Sequence, residues 1–140
     1  MSITAVLAPV FVQIALTFAL LIWMARARTG AVMRREVRVS DIVLGQPAWP
    51  ARITQIGNCY HNQLQLPVLF YVLAGFAIVT KKDDLLFVVT AWLFVLLRIA
   101  HAYVHTGSNN LRRRFNIFAG GLLVLAVMWA WFAVRITAGI

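Results

Sequence analysis

The sequence predicts an all-α integral membrane protein whose spans form a four-helix bundle. Three features of the 140-residue chain carry this prediction: long apolar stretches, a low share of charged residues, and basic residues concentrated in the connections. Each apolar stretch approaches the ~20 residues that an α-helix needs to cross about 30 Å of hydrocarbon. Little sequence is left for a soluble domain. We therefore expect one domain over residues 1–140, with helices at about residues 3–25, 51–80, 84–105 and 111–136.

Composition agrees with a membrane class. The chain is 62% hydrophobic and 12% charged, and soluble domains carry about twice that share of charge. Four spans of this length bury little protein surface by themselves, so we expect the chain to form oligomers. Cys59 is the single cysteine, which excludes an internal disulfide.

The net charge of +9 reflects membrane topology. Six arginines lie between the first and second apolar stretches and three between the third and fourth, whereas two lysines occupy the middle connection. The positive-inside rule therefore predicts that loops 25–55 and 106–114 are cytoplasmic and that both termini lie outside. Anionic lipid headgroups are the expected partners of this charge, and we expect no nucleic-acid partner.

The first apolar stretch is predicted to be a retained membrane helix and not a cleaved signal peptide. It lacks a basic leading region, is longer than the apolar core of a signal peptide, and is followed at once by Arg26 and Arg28. Trp23 is typical of the membrane interface, so we expect the helix to end near it. Residues 25–55 then form the only substantial predicted loop, which contains the breakers Gly30, Gly45, Pro47 and Pro50.

The second helix is predicted to begin near Ala51 with several polar turns. Amide side chains recur there at spacings of three and four, which places them on one helical stripe. A polar stripe that enters a membrane is expected to face other helices or a wet cavity. Pro67 removes one backbone hydrogen bond, so a kink is expected near it. The stripe consists of Gln55, Asn58, Asn62 and Gln65.

The third helix carries the polar residues that most strongly suggest a function. Arg98, His101 and His105 fall at positions i, i+3 and i+7 and therefore share a face. Arg98 lies too deep in its span to reach water easily, so its guanidinium needs a partner or a cavity. The alternative is a purely structural arginine that is hydrogen-bonded to amides or carbonyls of the second helix.

A metal site is not expected at these histidines. His101 and His105 have the i, i+4 spacing of metal ligands, but no acidic residue lies near them in sequence. Uncharged, hydrogen-bonding histidines at the membrane boundary are the expected state. The carboxylates all fall in predicted loops, at Glu36, Asp41, Asp83 and Asp84.

Three consecutive arginines stand where the fourth helix enters the membrane. At least two of Arg112, Arg113 and Arg114 are expected to anchor the helix among headgroups. One of them could turn inward toward the polar stripe of the second helix. An inward guanidinium there would attract carboxylates and stabilise a bound thiolate.

Two segments resemble the MAPEG family, the membrane-associated proteins in eicosanoid and glutathione metabolism. The run HNQLQLPVLFY, from His61 to Tyr71, is similar to the family's second-helix signature, Arg-x-x-x-Asn-x-x-Glu shortly before proline. The run from Arg98 to His101 resembles its third-helix pattern, Arg-x-x-(His/Tyr). The resemblance covers about residue 51 to the C-terminus and suggests a bacterial-type member, located in the inner membrane.

This resemblance implies a homotrimer of left-handed four-helix units. It also implies that glutathione binds between neighbouring subunits near the cytoplasmic side, and that a lipophilic electrophile approaches from the bilayer. By position, Asn62 matches the asparagine that contacts glutathione, and Arg98 matches the deep arginine of the third helix. His101 and His105 match tyrosines that often line the site. Arg112 matches an arginine that activates the thiol.

Two positions depart from the family signature. Asn58 stands where the signature has arginine, and Gln65 stands where it has glutamate. Each charge-assisted hydrogen bond contributes roughly 1.5–3 kcal/mol, so both changes would weaken glutathione binding.

Two functions therefore remain open. The first is a glutathione-dependent transferase or peroxidase, and the second is a non-catalytic membrane protein that binds lipid or another membrane protein. A small drug exporter is disfavoured because no carboxylate lies inside an apolar stretch. In the first case Arg112 is catalytic, and the binding residues are Asn58, Asn62, Gln65, Arg98, His101 and His105.

Overall fold

Five α-helices make up the four rods of the computed structural model, which describes residues 1–139. The second and third helices are two halves of one rod, interrupted at residues 63–65. A short 3-10 turn, Val39–Asp41, lies in the first connection. The helices are α1 (Ile3–Met33), α2 (Ala51–Asn62), α3 (Leu66–Val79), α4 (Leu85–Thr106) and α5 (Leu111–Thr137).

All four rods are long and apolar enough to cross a membrane. This finding confirms the all-α prediction and is consistent with a membrane four-helix bundle. The chain is therefore an integral, multi-pass membrane protein. Its candidate spans, within the described part of the chain, are Ile3–Met33, Ala51–Val79, Leu85–Thr106 and Leu111–Thr137.

Three helices begin at side-chain caps that the sequence supplies. Ser2, Asp84 and Asn110 each accept a hydrogen bond from the backbone N–H three residues later, at 3.2, 2.9 and 3.0 Å. Such caps satisfy donors that a helix leaves unpaired at its first turn. They explain why α1, α4 and α5 start where they do.

Helix α1 continues to Met33, past the end predicted near residue 25. At 1.5 Å per residue its 31 residues extend about 46 Å, which exceeds the thickness of the hydrocarbon. Packing beyond the span stabilises the extra turns, because Ala31 is buried in a small cluster with Val37 and Ile53. The connection that follows therefore covers residues 34–50 and is shorter than the predicted loop.

The second span is broken ahead of Pro67, close to the predicted kink. Backbone bonds from Gln63 to the Tyr60 carbonyl, at 2.9 Å, and from Leu64 to the His61 carbonyl, at 3.0 Å, close the end of α2. Pro67 lies in the first turn of α3. Backbone N–H groups in the first turn have no acceptor within the helix, so the missing N–H of proline costs no helical hydrogen bond there. The break exposes backbone and side-chain amides in the middle of the bundle.

The apolar core lies between the four rods. Phe70 of α3 and Phe94 of α4 are fully buried, and their ring centroids are 5.0 Å apart. Val6 of α1 and Leu125 of α5 join the same cluster. Helix α4 packs against α1, α2 and α5, and α1 packs against α2, α3 and α4.

Ion pairs join the N-terminus, the last turns of α5 and the middle turn at one end of the bundle. The Met1 amino group lies 3.5 Å from Asp83, and Arg135 Nη1 lies 2.6 Å from Asp84 Oδ2. The connections 34–50 and 107–110 therefore lie at the opposite end, as an up-down-up-down order requires. Which end faces the cytoplasm stays a prediction.

Candidate functional site

Arg98 is the centre of the candidate site. It lies on α4 and is only 1% exposed. Its Nη2 donates to the side-chain oxygen of Asn62, to the Asn62 carbonyl at 3.2 Å, and to Gln63 Oε1 at 3.4 Å. The expected contact between this guanidinium and amides of the second span is therefore present. It forms at the break between α2 and α3, where acceptors are available.

Two nitrogens of the same guanidinium remain unused. Arg98 Nε and Nη1 are buried and have no hydrogen-bond partner within residues 1–139. The ring of Phe118 lies 5.8 Å from the Arg98 Cζ atom, which adds a weaker attraction for the cation. Buried, unpaired charged donors are costly, so this guanidinium is suited to accept an anionic group.

A second layer of amides supports Arg98 from the side of α1. Gln13 and Gln63 are both fully buried, and Gln13 Nε2 donates to Gln63 Oε1 at 3.1 Å. Gln63 in turn donates to the Cys59 carbonyl at 3.1 Å. Neither glutamine was predicted to be part of the site. For Gln13 the available signal was a single amide in the middle of an apolar span, where polar groups usually face a partner.

A cleft of about 200 Å³ opens beside Arg98, between the end of α2 and the first turns of α5. We call it the site cleft. Its walls combine a cation, an amide and an imidazole with apolar side chains, so it can hold a ligand that is partly polar and partly apolar. The lining residues are Asn62, His101, Leu111, Arg114, Phe115 and Phe118.

His101 and His105 lie on the same face of α4, as their spacing predicts. Their ring centroids are 5.4 Å apart and the rings are nearly perpendicular. Both Nδ1 atoms are buried, with no partner in the described part of the chain. Residues 1–139 contain no group of three or more His, Cys, Asp or Glu side chains that could hold a metal ion.

Comparison with known protein families adds an independent observation. The family model of MAPEG matches residues 6–134, which is nearly the whole chain. The chain belongs to the MAPEG family. Members of this family commonly use glutathione. No curated protein and no solved structure matches the chain.

The MAPEG signature positions of the second span do not all face inward. Asn62 is half-buried against Arg98, but Asn58 and Gln65 are exposed on the surface of the single chain. Gln65 Oε1 accepts from Asn62 Nδ2 at 3.1 Å, so it reaches the site only through Asn62. The break at residues 63–65 takes Gln65 out of the helical spacing, whereas Gln55, Asn58 and Asn62 all lie within α2. That the stripe faces a neighbouring subunit stays a prediction.

Gln55, the first residue of that stripe, has a structural partner. Its Nε2 donates to the His105 carbonyl at 2.7 Å and to the Gly107 carbonyl at 3.3 Å. These carbonyls lie at the end of α4, where no helical N–H remains to pair with them. Gln55 therefore ties α2 to the end of α4 and lies outside the site cleft.

One of the three arginines of α5 turns inward in this MAPEG chain, and it is Arg114. Arg114 is half-buried, lines the site cleft, and donates from Nη1 to Asn109 Oδ1 at 2.6 Å. Arg112 and Arg113 are exposed. Arg114 and Phe118 are one helical turn apart and share a face, which explains why this arginine lines the cleft.

The donor set fits the anionic part of glutathione. The Arg114 guanidinium lines the cleft and could hold a carboxylate, and the Asn62 amide could orient the ligand backbone. The unpaired Arg98 nitrogens are buried behind Asn62 and Phe118, so Arg98 adds positive charge next to the cleft without lining it. The site cleft contains no carboxylate for the ammonium group of the ligand. Asn62 contributes a neutral amide oxygen to the cleft lining, and Gln65 is connected to the cleft through its bond to Asn62.

Proposed function

We propose that this protein is a glutathione-dependent transferase or peroxidase that acts on lipophilic electrophiles between the subunits of a homotrimer. One observation carries the proposal: a buried guanidinium with two unpaired nitrogens lies against Asn62 and Phe118, which both line the site cleft. Family membership points in the same direction, because MAPEG proteins commonly use glutathione. A buried cation at such a depth favours binding of an anion.

The cations near the site cleft would have different tasks. Arg114 would bind a carboxylate, since it can form forked hydrogen bonds with an anion, and Arg98 would add positive charge next to the cleft. Glutathione would supply the nucleophilic sulfur. Arg112 is proposed to stabilise the thiolate, and its exposed position on α5 leaves it available to a ligand bound between two copies of the chain.

Apolar side chains next to these cations support a lipophilic second substrate. Leu111 is 69% exposed and Phe115 is 66% exposed, and both line the site cleft. Phe118 lies deeper, beside His101, with ring centroids 5.8 Å apart. An apolar molecule dissolved in the bilayer could therefore reach the cleft without crossing water.

We place the site cleft near the cytoplasmic side of a bacterial inner membrane. The cleft lies at the end of the bundle that carries connections 34–50 and 107–110. These connections and the adjacent helix ends hold most of the basic residues, which favours a cytoplasmic location. Both termini would then lie outside.

Titration of the purified chain with glutathione, followed by thiolate absorbance, tests this function. We expect saturable binding at or below millimolar glutathione and a rise in thiolate absorbance. Asn62→Ala should weaken binding, whereas Arg113→Gln, which changes an exposed arginine of the same helix, should not. Absence of binding at millimolar glutathione would remove the proposal.

A second candidate function is a non-catalytic membrane protein that binds lipid or another membrane protein. It is favoured by Asn58 and Gln65, which lack the charges of the family signature and are exposed. Native mass spectrometry distinguishes the two functions. A retained lipid that is unaffected by Asn62→Ala or Arg112→Ala supports the second, and displacement of that lipid by glutathione counts against it.

A further inference from the structure

A second cleft, of about 170 Å³, lies between α4 and α5 at the end of the bundle that carries both termini. We call it the terminal cleft. Asp84 at its rim precedes Arg98 by 14 residues, or about 21 Å along a helix, so the two clefts are separate. The lining residues are Leu86, Phe87, Thr90, Val127, Met128, Trp131 and Phe132, with Lys82, Asp84 and Arg135 at the rim.

The walls of the terminal cleft are apolar and open toward the outside of the bundle. Leu86, Val127 and Trp131 are 50%, 55% and 45% exposed, and all three belong to candidate membrane spans. The Thr90 hydroxyl donates to the Leu86 carbonyl at 2.8 Å, so it presents no unpaired donor to the cleft. These walls match the acyl chain of a lipid, and lipids surround the membrane spans.

The rim of the cleft carries more positive than negative side chains. Arg135 Nη1 donates to Asp84 Oδ2 at 2.6 Å and to the Lys82 carbonyl at 3.3 Å. Both bonds use one nitrogen of a group that has five N–H donors. The Lys82 side chain adds a second cation to the rim. An anionic group would therefore complement this rim better than a neutral or zwitterionic one.

The rim also lies at the depth where phosphates are found. Asp84 caps the start of α4, and Arg135 follows Trp131 by one helical turn. Tryptophan is typical of the membrane interface, and the helix ends mark the same level. A lipid whose acyl chain enters the cleft would bring its headgroup to Arg135.

We propose that the terminal cleft binds an anionic phospholipid, with one acyl chain between α4 and α5 and its phosphate at Arg135. Surrounding lipid tails are as apolar as the cleft, so the acyl chain provides fit but little preference. Preference among lipids comes from the headgroup and Arg135. The site is independent of glutathione binding at the other end.

Native mass spectrometry of the full chain in detergent, with equal amounts of phosphatidylglycerol and phosphatidylcholine, tests the proposal. We expect about five-fold more phosphatidylglycerol than phosphatidylcholine to be retained, because one basic residue near an anionic headgroup provides a preference of that size. Arg135→Gln should bring the two lipids to about equal retention, and Arg135→Lys should keep most of the preference. Lys81→Gln, at an exposed cation of the same turn that does not line the cleft, should change nothing.

Filling the cleft is an independent test. Val127→Trp should lower retention of phosphatidylglycerol at least three-fold, whereas Val134→Trp, at an exposed position of α5 outside the cleft, should not. This pair remains decisive if Arg135→Gln does not fold. Equal retention of both lipids by the unmodified chain would overturn the proposal. So would a Val127→Trp variant that changes the number of chains per assembly but leaves lipid retention unchanged, because a second copy would then occupy the cleft.

Discussion

Gln13 and Gln63 lie 50 positions apart in the chain and are joined by a buried hydrogen bond of 3.1 Å. Gln63 Oε1 also accepts from Arg98 Nη2 at 3.4 Å. One amide oxygen therefore connects α1, the break in the second span and the buried cation of α4. This connection makes the position of Arg98 depend on residues that do not line the site cleft.

Gln63→Leu should destabilise the fold. The change removes the acceptor of Gln13 and one acceptor of Arg98, and it leaves both donors buried without that partner. We expect a loss of roughly 1–3 kcal/mol in the free energy of unfolding. Denaturant unfolding in detergent measures it, with Gln65→Leu at an exposed position as the control. Equal losses in the two variants would contradict the role assigned to Gln63.

Arg98→Lys should separate the charge of Arg98 from its forked shape. A lysine keeps the positive charge but cannot donate with the same geometry to Asn62, which lines the cleft. We expect the affinity for glutathione to fall about ten-fold, measured by isothermal titration calorimetry. Arg113→Lys, on the surface of α5, should keep the original affinity. An Arg98→Lys variant with unchanged affinity would argue for a purely structural arginine.

Arg112 and Arg114 should differ in their response to S-methylglutathione, which has no ionisable thiol. Arg114→Gln should weaken binding of this ligand about ten-fold, because Arg114 lines the site cleft and would hold a carboxylate. Arg112→Gln should leave its binding within about two-fold but suppress the thiolate absorbance of bound glutathione. If Arg114→Gln alone suppresses the thiolate signal, thiolate stabilisation belongs to Arg114.

Restoring the family signature should strengthen glutathione binding. Both Asn58 and Gln65 are exposed on the single chain, so Asn58→Arg with Gln65→Glu introduces two charges without burying either inside the subunit. We expect at least a ten-fold gain in affinity, since each new charge-assisted bond contributes roughly 1.5–3 kcal/mol and solvent screens part of it. Asn58→Gln with Gln65→Asn is the neutral control. No gain over that control would favour the non-catalytic function.

The sequence predicted most of the fold because the spans are defined by apolar runs of membrane length. The end of α1 was missed for a tertiary reason. Arg26 and Arg28 suggested a loop, but the helix continues because Ala31 packs against Ile53 and the Arg28 guanidinium carbon lies 4.9 Å from the centre of the Trp49 ring. Contacts of this kind join distant parts of the chain and leave no local pattern.

The candidate site was predicted in part. The meeting of Arg98 with Asn62 followed from the cost of a charge in lipid, a general rule that needs no detailed geometry. Gln63 was missed because it lies at the end of α2 on the buried face, with Ile56 and Cys59, beside the polar stripe on which the prediction was based. The inward position of Arg114 could not be predicted, because the side that each arginine presents depends on how α5 rotates against its neighbours. The role of Arg112 stays a prediction.

The interrupted span and the buried cation lie at the same level of the bundle, and each supplies a hydrogen-bond partner to the other. The Asn62 carbonyl at the end of α2 accepts from Arg98 Nη2 at 3.2 Å. An uninterrupted second span would bond this carbonyl within its own helix and withdraw it from the guanidinium, and an apolar side chain at position 98 would remove the cation that the Asn62 side-chain oxygen accepts from. Members of the family should therefore either have both the interrupted second span and the buried arginine or lack both.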